Sequence, residues 1–312
     1  MELGQLRALR ELGDRGSIAA VAAAMHVTPS SVSQQLSALQ RHSTVPLTAK
    51  EGRRTVLTDA GRALATAAIG VEVALERAEQ AVSRFQDDDT GTVSVAAFHS
   101  AGLAIFGPLL TALTRPDDPR VTLSDFDVAQ EKFASLTAGH DLVLAHRLVG
   151  SPPWPQSVRA ERLLFEPLDI AVRRDHPLAK RSSIEPADLR DEEWVAVHEG
   201  FPLEQAIALI AGVGGGEARV RHRINEFLVA AAVVESSGSV ALMPRYTTDL
   251  RDHGDVVLRP LAGPGVGRYI DCLARPETLE RANVAMVLTH IRSIVTGLTE
   301  RRGAQPPRGA VR

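Results

Sequence analysis

The stretch that most limits what this chain can fold into is SIAAVAAAMHVTPSSVSQQLSALQ, residues 17–40. Ser17 can cap a first helix running through Ala24, and the small residues Ala19, Ala20, Ala22 and Ala23 let a neighbouring helix approach closely. Met25 and Val27 close a turn. Thr28 then caps a second helix, with Pro29 at its first position, where a missing N–H costs nothing and the fixed φ favours helix entry. Val32, Leu36 and Leu39 fall on one face of that second helix, and Ser30, Ser33, Gln34 and Ser37 on the other, with Thr28 and Ser31 at its start. A short, uncharged face of hydroxyls and an amide can enter a DNA major groove, where Gln suits adenine and Ser serves several bases. The same pattern also suits an ordinary α-rich core, and residues 17–40 alone leave both readings open.

The next segment, VPLTAKEGRRTVLTDAG, favours DNA. Residues 45–47 and 55–57 read as two short strands about a Glu51-Gly52 turn. Lys50, Arg53 and Arg54 lie near the tip of this wing, where basic side chains reach phosphates or an adjacent minor groove. Residues 1–58 carry seven basic side chains against four acidic ones, a balance of +3 in a chain of net charge −3. The remainder therefore holds −6, which separates a nucleic-acid-binding end from a larger part of another kind.

Thr58 can cap a long helix over residues 59–86. Leu64, Ala68, Val71, Leu75, Ala78 and Val82 recur in it at alternating spacings of four and three, on one heptad seam that Phe85 continues. Charged Arg62, Glu72, Glu76 and Arg77 lie off the seam. So narrow an apolar stripe suits a contact between two copies of the helix better than a general core does. Asp87-Asp88-Asp89-Thr90-Gly91 then breaks the helix, giving a hinge at 87–91.

From Thr92 the pattern changes to apolar strands alternating with helices: VSVAAF, VTLSDFDV, DLVLAHRL, LDIAVRR, WVAVH, VRHRI, SVALMP, VVLRPL and RYIDCLA are strand candidates. Helical stretches follow Ser100, Ala129, Leu203, Glu226 and Leu279. This predicts α/β architecture on a mostly parallel sheet. The 312 residues suffice for two or three sizeable cores. The single cysteine, Cys272, reads as a buried strand thiol and implies no redox role. Neither a signal peptide nor a run of about 18 apolar residues is visible, which points to a cytoplasmic protein without a membrane partner. The tail over 301–312, rich in Arg, Pro and Gly, is expected to be disordered.

Residues 3–61 resemble the LysR-type transcriptional regulators. The resemblance is carried by Leu3, Leu6, Leu9 and Leu12, the Gly16-Ser17 entry, the VTPSSVSQQLSAL run, Val45-Pro46-Leu47, Gly52-Arg53 and Leu57-Thr58-x-Ala60-Gly61, all at the family's spacing. Ser43 and Thr44 depart from a usual Leu-Gly pair, Thr48 from a common Phe, and Pro29 from a frequent Gln. A second match, EPLDIAVRRDHPLAKRSSIEPADLRDEEWV, lies where the family's chain crosses between lobes. The resemblance implies a mixed α+β and α/β organisation: a winged helix-turn-helix DNA-binding domain over 1–58, a linker and dimerisation helix over 59–86, and a two-lobed α/β effector domain over 92–300. That last domain would resemble type 2 periplasmic solute-binding proteins, with lobe 1 about 92–165 plus 268–298 and lobe 2 about 166–267. It further implies a homodimer or homotetramer on an interrupted palindrome of double-stranded DNA, a small effector between the lobes, and RNA polymerase as a partner.

In such a cleft the helix beginning near His99 would present the Ser100 hydroxyl and the first free N–H groups, at Ser100 and Ala101, to a ligand, which suits a carboxylate. His146 and Arg147 at one strand end, His198 at another and Phe227 at a helix start are further effector-binding candidates. Each also has a purely structural reading, as a helix cap, a strand-end polar residue or core. No cofactor is called for. The ten histidines show no metal-ligand spacing. The glycine run at 212–216 lacks the last glycine of a GxGxxG loop, since Glu217 follows it, and no G-x-S-x-G elbow offers a nucleophile. Catalysis is therefore not expected. The alternative from another class is a stand-alone solute-binding module, or a non-catalytic sensor, with a helical interaction arm.

Overall fold

A computed structural model describes residues 1–52, 54–83, 91–263 and 265–302. Arg53, most of the expected hinge and the last ten residues of the expected tail lie outside this set, as does Phe85. The N-terminal part is three helices and a hairpin: α1 (Leu3–Arg15), α2 (Ile18–Ala24), α3 (Pro29–Gln40), β1 (Thr48–Glu51) and β2 (Arg54–Leu57). Leu6, Leu9 and Leu12 of α1 meet Val21, Val32 and Leu39 in one buried core. Both expected caps form, Ser17 Oγ accepting from the Ala20 N–H at 3.2 Å and Thr28 Oγ1 from the Ser31 N–H at 3.2 Å. Between the helices His26 takes φ 53°, the sole positive φ at a non-glycine residue among those described, so this tight turn is made without glycine.

The first wing strand begins three residues later than the sequence suggested. Residues 45–47 are not a strand; they are strapped down by Gln40, whose amide donates to the Val45 carbonyl at 2.9 Å and accepts from the Leu47 N–H at 2.8 Å. Ser43 Oγ donates to the same Val45 carbonyl at 2.9 Å. Polar bonds thus hold the segment where Ser43 and Thr44 depart from the family's apolar pattern. β1 and β2 then pair antiparallel with Glu51 opposite Arg54, so Glu51 belongs to the strand and not to the turn, and Gly52 supplies φ 60°.

Helix α4 (Asp59–Ser83) starts behind Thr58, whose Oγ1 accepts from the Gly61 N–H at 3.1 Å. Gly61 allows the wing root to lie against this helix, because a Cβ there would stand 2.0 Å from the Leu47 carbonyl oxygen.

The rest of the chain forms two lobes on a mixed nine-stranded sheet, and the mostly parallel sheet read from the strand–helix alternation is corrected here. In lobe 1, β3 (Thr92–Ala97) runs parallel to β4 (Arg120–Asp125) and β5 (Leu142–Leu148), with α5 (His99–Ala112), the short α6 (Phe133–Leu136) and α9 (Ala282–Arg302) around them. In lobe 2, β7 (Glu193–Ala196) runs parallel to β8 (Arg219–Arg223) and β9 (Val240–Pro244), with α7 (Pro202–Val213) and α8 (Phe227–Ser237). Antiparallel pairing enters where the chain crosses between lobes. Strand β6 (Arg159–Arg173) spans both: its first half pairs with β11 (Gly267–Ala274), its second with β9 and β10 (Val256–Arg259). β11, entering from lobe 2, pairs antiparallel with β5.

The changeover falls at Pro167, which has no N–H for a ladder bond; beyond it Leu168 donates to the Val266 carbonyl at 2.9 Å. Ile105, Phe133, Leu144, Ile270 and Ile291 centre the lobe 1 core, and Ile170, Trp194, Ile207 and Leu242 one core of lobe 2. α9 continues to Arg302, so the expected tail begins with helix. Among the described residues no helix is long and apolar enough to cross a membrane.

Candidate DNA interface and effector cleft

The two faces read from the α3 sequence are separate in the structure. Val32 and Leu39 are fully buried, while Ser30, Ser33, Gln34 and Ser37 are exposed. The pyrrolidine at the first position and the Thr28 cap fix where this helix starts, and hence how its polar face is phased. Ser33 Oγ donates to the Pro29 carbonyl at 3.0 Å, so toward a base it is an acceptor. Thr28 Oγ1 is engaged in the cap itself, where it accepts the Ser31 backbone N–H, while the half-buried Ser31 side chain borders the same surface as Ser33, Gln34 and Ser37. Exposed Arg41, immediately after α3, borders the same concave surface as Ser33, Gln34 and Ser37. It was not among the residues picked from sequence, although a cation ending a recognition helix is well placed for phosphate. On the wing, Lys50 reaches across to Thr55 Oγ1 at 3.0 Å and Arg54 is exposed. Arg53 lies outside the described residues.

The expected seam on α4 divides between two tasks. Ala68 is buried and Leu64 half-buried in the N-terminal domain's own core, because α4 packs along α1. Neither is available as a wholly free contact. Val71 and Val82 stay exposed, at 47% and 58%, with Ala78 exposed and Leu75 half-buried. Off the seam, Glu72 is buried beside Arg10.

The N-terminal domain also rests on lobe 1 through charges. Arg275, just past β11, pairs with Glu11 and, at 2.7 Å, with Asp14; Arg10 meets Glu277 at 2.7 Å; and Arg77 meets Glu280 at 2.8 Å. Burial alone would raise the Glu11 carboxyl, but Arg275 and Arg15 together hold it below its ordinary value. For Asp14 burial wins over Arg275 and Arg10 and the carboxyl is raised.

Between the lobes lies a cavity of about 160 Å³. Of the six residues expected there, Ser100, His146 and Phe227 line it. The other three do not. Ala101 is fully buried in the lobe 1 core and its N–H already bonds the Phe98 carbonyl at 3.0 Å. Arg147 follows His146 on β5 and so projects to the opposite face, where it bonds Asp271 at 2.9 Å. His198 is exposed beyond the end of β7, with its backbone N–H held by Asn225 Oδ1 at 2.9 Å.

The cavity floor is an ion network that sequence reasoning missed. Arg268, 2% exposed, donates from Nε to Glu166 at 2.9 Å and from Nη2 to both Ser100 Oγ and Thr247 Oγ1 at 2.9 Å. Glu166, wholly buried, also accepts the Tyr246 and Thr247 N–H groups at 2.8 and 2.7 Å. The Arg268 guanidinium sits 4.7 Å from the Phe98 ring centre. Ser100 Oγ therefore accepts from the protein's own cation, a bond that uses none of its donor capacity. His146 stands edge-on to Phe98 and Phe133, its Nδ1 buried without a partner. Burial, reinforced by the nearby Arg268 charge, pushes its imidazole down to about 3 and keeps it neutral. Cys272 is buried, its thiol pushed by burial up to about 12. No cluster of three metal-ligating side chains occurs among the described residues.

The comparisons with known proteins agree with this geometry. Residues 3–62 match the family model described as "Bacterial regulatory helix-turn-helix protein, lysR family", and residues 86–295 that described as "LysR substrate binding domain". The chain is 28% identical over 287 residues to the transcriptional dual regulator GltC of Bacillus subtilis (strain 168), covering 90% of this chain and 93% of that one. It is 24% identical over 250 residues to a RuBisCO operon transcriptional regulator of Allochromatium vinosum, covering 80% and 82%. Among solved structures, a full-length OxyR variant from Pseudomonas aeruginosa shares the fold at a TM-score of 0.66 and 17% identity, covering 98% of this chain and 99% of that one. CbnR complexed with its target DNA does so at 0.51 and 23%, covering 95% and 100%. With one model spanning the helix-turn-helix and another most of the two-lobed part, the chain belongs to the LysR family of DNA-binding transcription regulators, which are not enzymes and carry an effector-binding domain.

Proposed function

We propose that this regulator reads its operator through Ser30, Ser33, Gln34 and Ser37 of α3, with Lys50, Arg53, Arg54 and Arg41 on the flanking phosphates. The observation that carries the reading is the division of α3 into an apolar face, buried at Val32 and Leu39, and an exposed polar one whose phase is fixed by the Thr28 cap. A single α3 reads one half-site, so two copies joined through Val71, Leu75, Ala78 and Val82 would address an interrupted palindrome. A dimer, or a pair of dimers, is the working assembly, acting on RNA polymerase in the cytoplasm. Domain limits near residues 58, 86 and 91 are kept as read from the sequence; α4 beginning at Asp59 and β3 at Thr92 support the first and the last, and 86 lies outside the described residues.

The cleft between the lobes is the effector site, with Arg268 on its floor and Glu166 behind it. A ligand bridging the lobes would shift them relative to each other and thereby alter how the two α3 helices meet DNA. Footprinting of the full-length chain on the DNA upstream of its own coding region tests this. Two protected half-sites about one helical turn, or a multiple of it, apart are expected; uniform protection with no preferred sequence would overturn the reading.

A further inference from the structure

The cleft is already electrically committed before any ligand arrives. Its buried cation, Arg268, is answered by the buried Glu166, and it donates to Ser100 Oγ at the start of α5 at 2.9 Å. His146, the polar group deepest in the wall, is neutral. What remains to meet a ligand is mostly apolar and aromatic, from Phe98, Phe201, Phe227, Val197 and Leu203, beside the polar Ser100 and Asn225 and with two carboxylates at the rim. These carboxylates come from opposite lobes: Asp127 follows β4 in lobe 1, and Glu226 caps α8 in lobe 2, where it also accepts from the Val229 N–H at 2.9 Å. The basic group facing them is His99, 3.2 Å from Asp125 and 3.5 Å from Glu226. A cavity of about 160 Å³ is close to the roughly 150 Å³ that accommodates one benzene ring.

We infer that the occupant is a single aromatic ring bearing a protonated amine, its ring among Phe98, Phe201 and Phe227 and its ammonium group between Asp127 and Glu226. This rests on the reading of the cleft as the effector site. An anion in the same place would face the Asp127 carboxylate and a Glu226 carboxylate answered only by His99 and the Val229 N–H, whereas an ammonium group is attracted to both carboxylates.

Calorimetric titration of the full-length protein with benzylamine, benzyl alcohol and benzoate tests the inference, since the three share one ring and differ in charge. Benzylamine should bind about tenfold more tightly than benzyl alcohol, and benzoate most weakly. Asp127→Asn, at an exposed position, and Glu226→Gln should each erase most of the advantage of benzylamine while leaving benzyl alcohol unchanged. Phe227→Trp, which fills the cavity, should abolish binding of all three. The inference is overturned if benzoate matches or exceeds benzylamine, if the carboxylate variants keep the preference, or if none of the three binds. Benzylamine binding that survives Phe227→Trp would remove the cleft itself as the effector site; benzoate binding that Phe227→Trp abolishes would leave the cleft standing and sink only the cationic class.

Discussion

Glu166→Gln should be among the most damaging single substitutions in the effector domain. Glu166 is wholly buried and takes four donors: the N–H groups of Tyr246 and Thr247, Arg268 Nε at 2.9 Å and Thr247 Oγ1 at 3.2 Å. A glutamine keeps one oxygen for the two backbone donors but turns an NH2 group toward the guanidinium, so the charge-assisted bond is lost, at about 1.5–3 kcal/mol. The Arg268 cation is also left buried and unbalanced, which brings the total to about 3–5 kcal/mol. Arg268→Met removes the cation and leaves the Glu166 carboxylate with three donors, so it should cost less. The double variant should be more stable than Glu166→Gln alone, because it no longer buries an unpaired charge. Urea unfolding of the four proteins, followed by tryptophan fluorescence, measures the cycle; Trp194 is buried in lobe 2. Loss below about 1 kcal/mol for Glu166→Gln, or strict additivity in the double variant, would refute the claim that this pair forms one buried unit.

Three further outcomes follow from other parts of the fold. Gly61→Ala should destabilise the N-terminal domain by about 1–3 kcal/mol, because the added Cβ meets the Leu47 carbonyl at 2.0 Å; unchanged thermal unfolding would contradict the close approach. Arg54→Ala should weaken binding to all DNA sequences alike and lower the slope of log affinity against log salt by about one, as a salt series by fluorescence anisotropy would reveal. Val82→Asp, at a side chain 58% exposed within its own chain, should leave unfolding unchanged while weakening the dimer, and sedimentation that still shows a full dimer would rule out this stretch of α4 as the contact.

The local features of the N-terminal domain were legible in the sequence because their causes are local. Ser17, Thr28 and Pro29 set helix starts within a few residues, and the α3 face follows from helical period. The wing strand was placed too early because the anchor of residues 45–47 is a side chain on α3, Gln40, and no strand pattern encodes that bond. The first half of β6 escaped notice since its exposed, charged residues Arg159 and Arg162 do not look like strand until β11 lies beside them. In the cleft, Ser100, His146 and Phe227 were found from element ends, whereas Arg147 was misassigned by ignoring strand alternation. Arg268 stood in plain view at the head of an apolar strand, and a charge there called for a partner. That partner, Glu166, lies 102 positions away, a separation that only the crossing of β6 and β11 between the lobes closes.

Sequence-specific reading by the polar face of α3 is tested most directly by the affinity of the Ser33→Ala and Gln34→Ala variants for the footprinted operator and for a scrambled duplex of equal length. Each variant should lose about 1–3 kcal/mol on the operator and almost nothing on the scrambled DNA. Equal losses on both duplexes, or no loss on either, would contradict it.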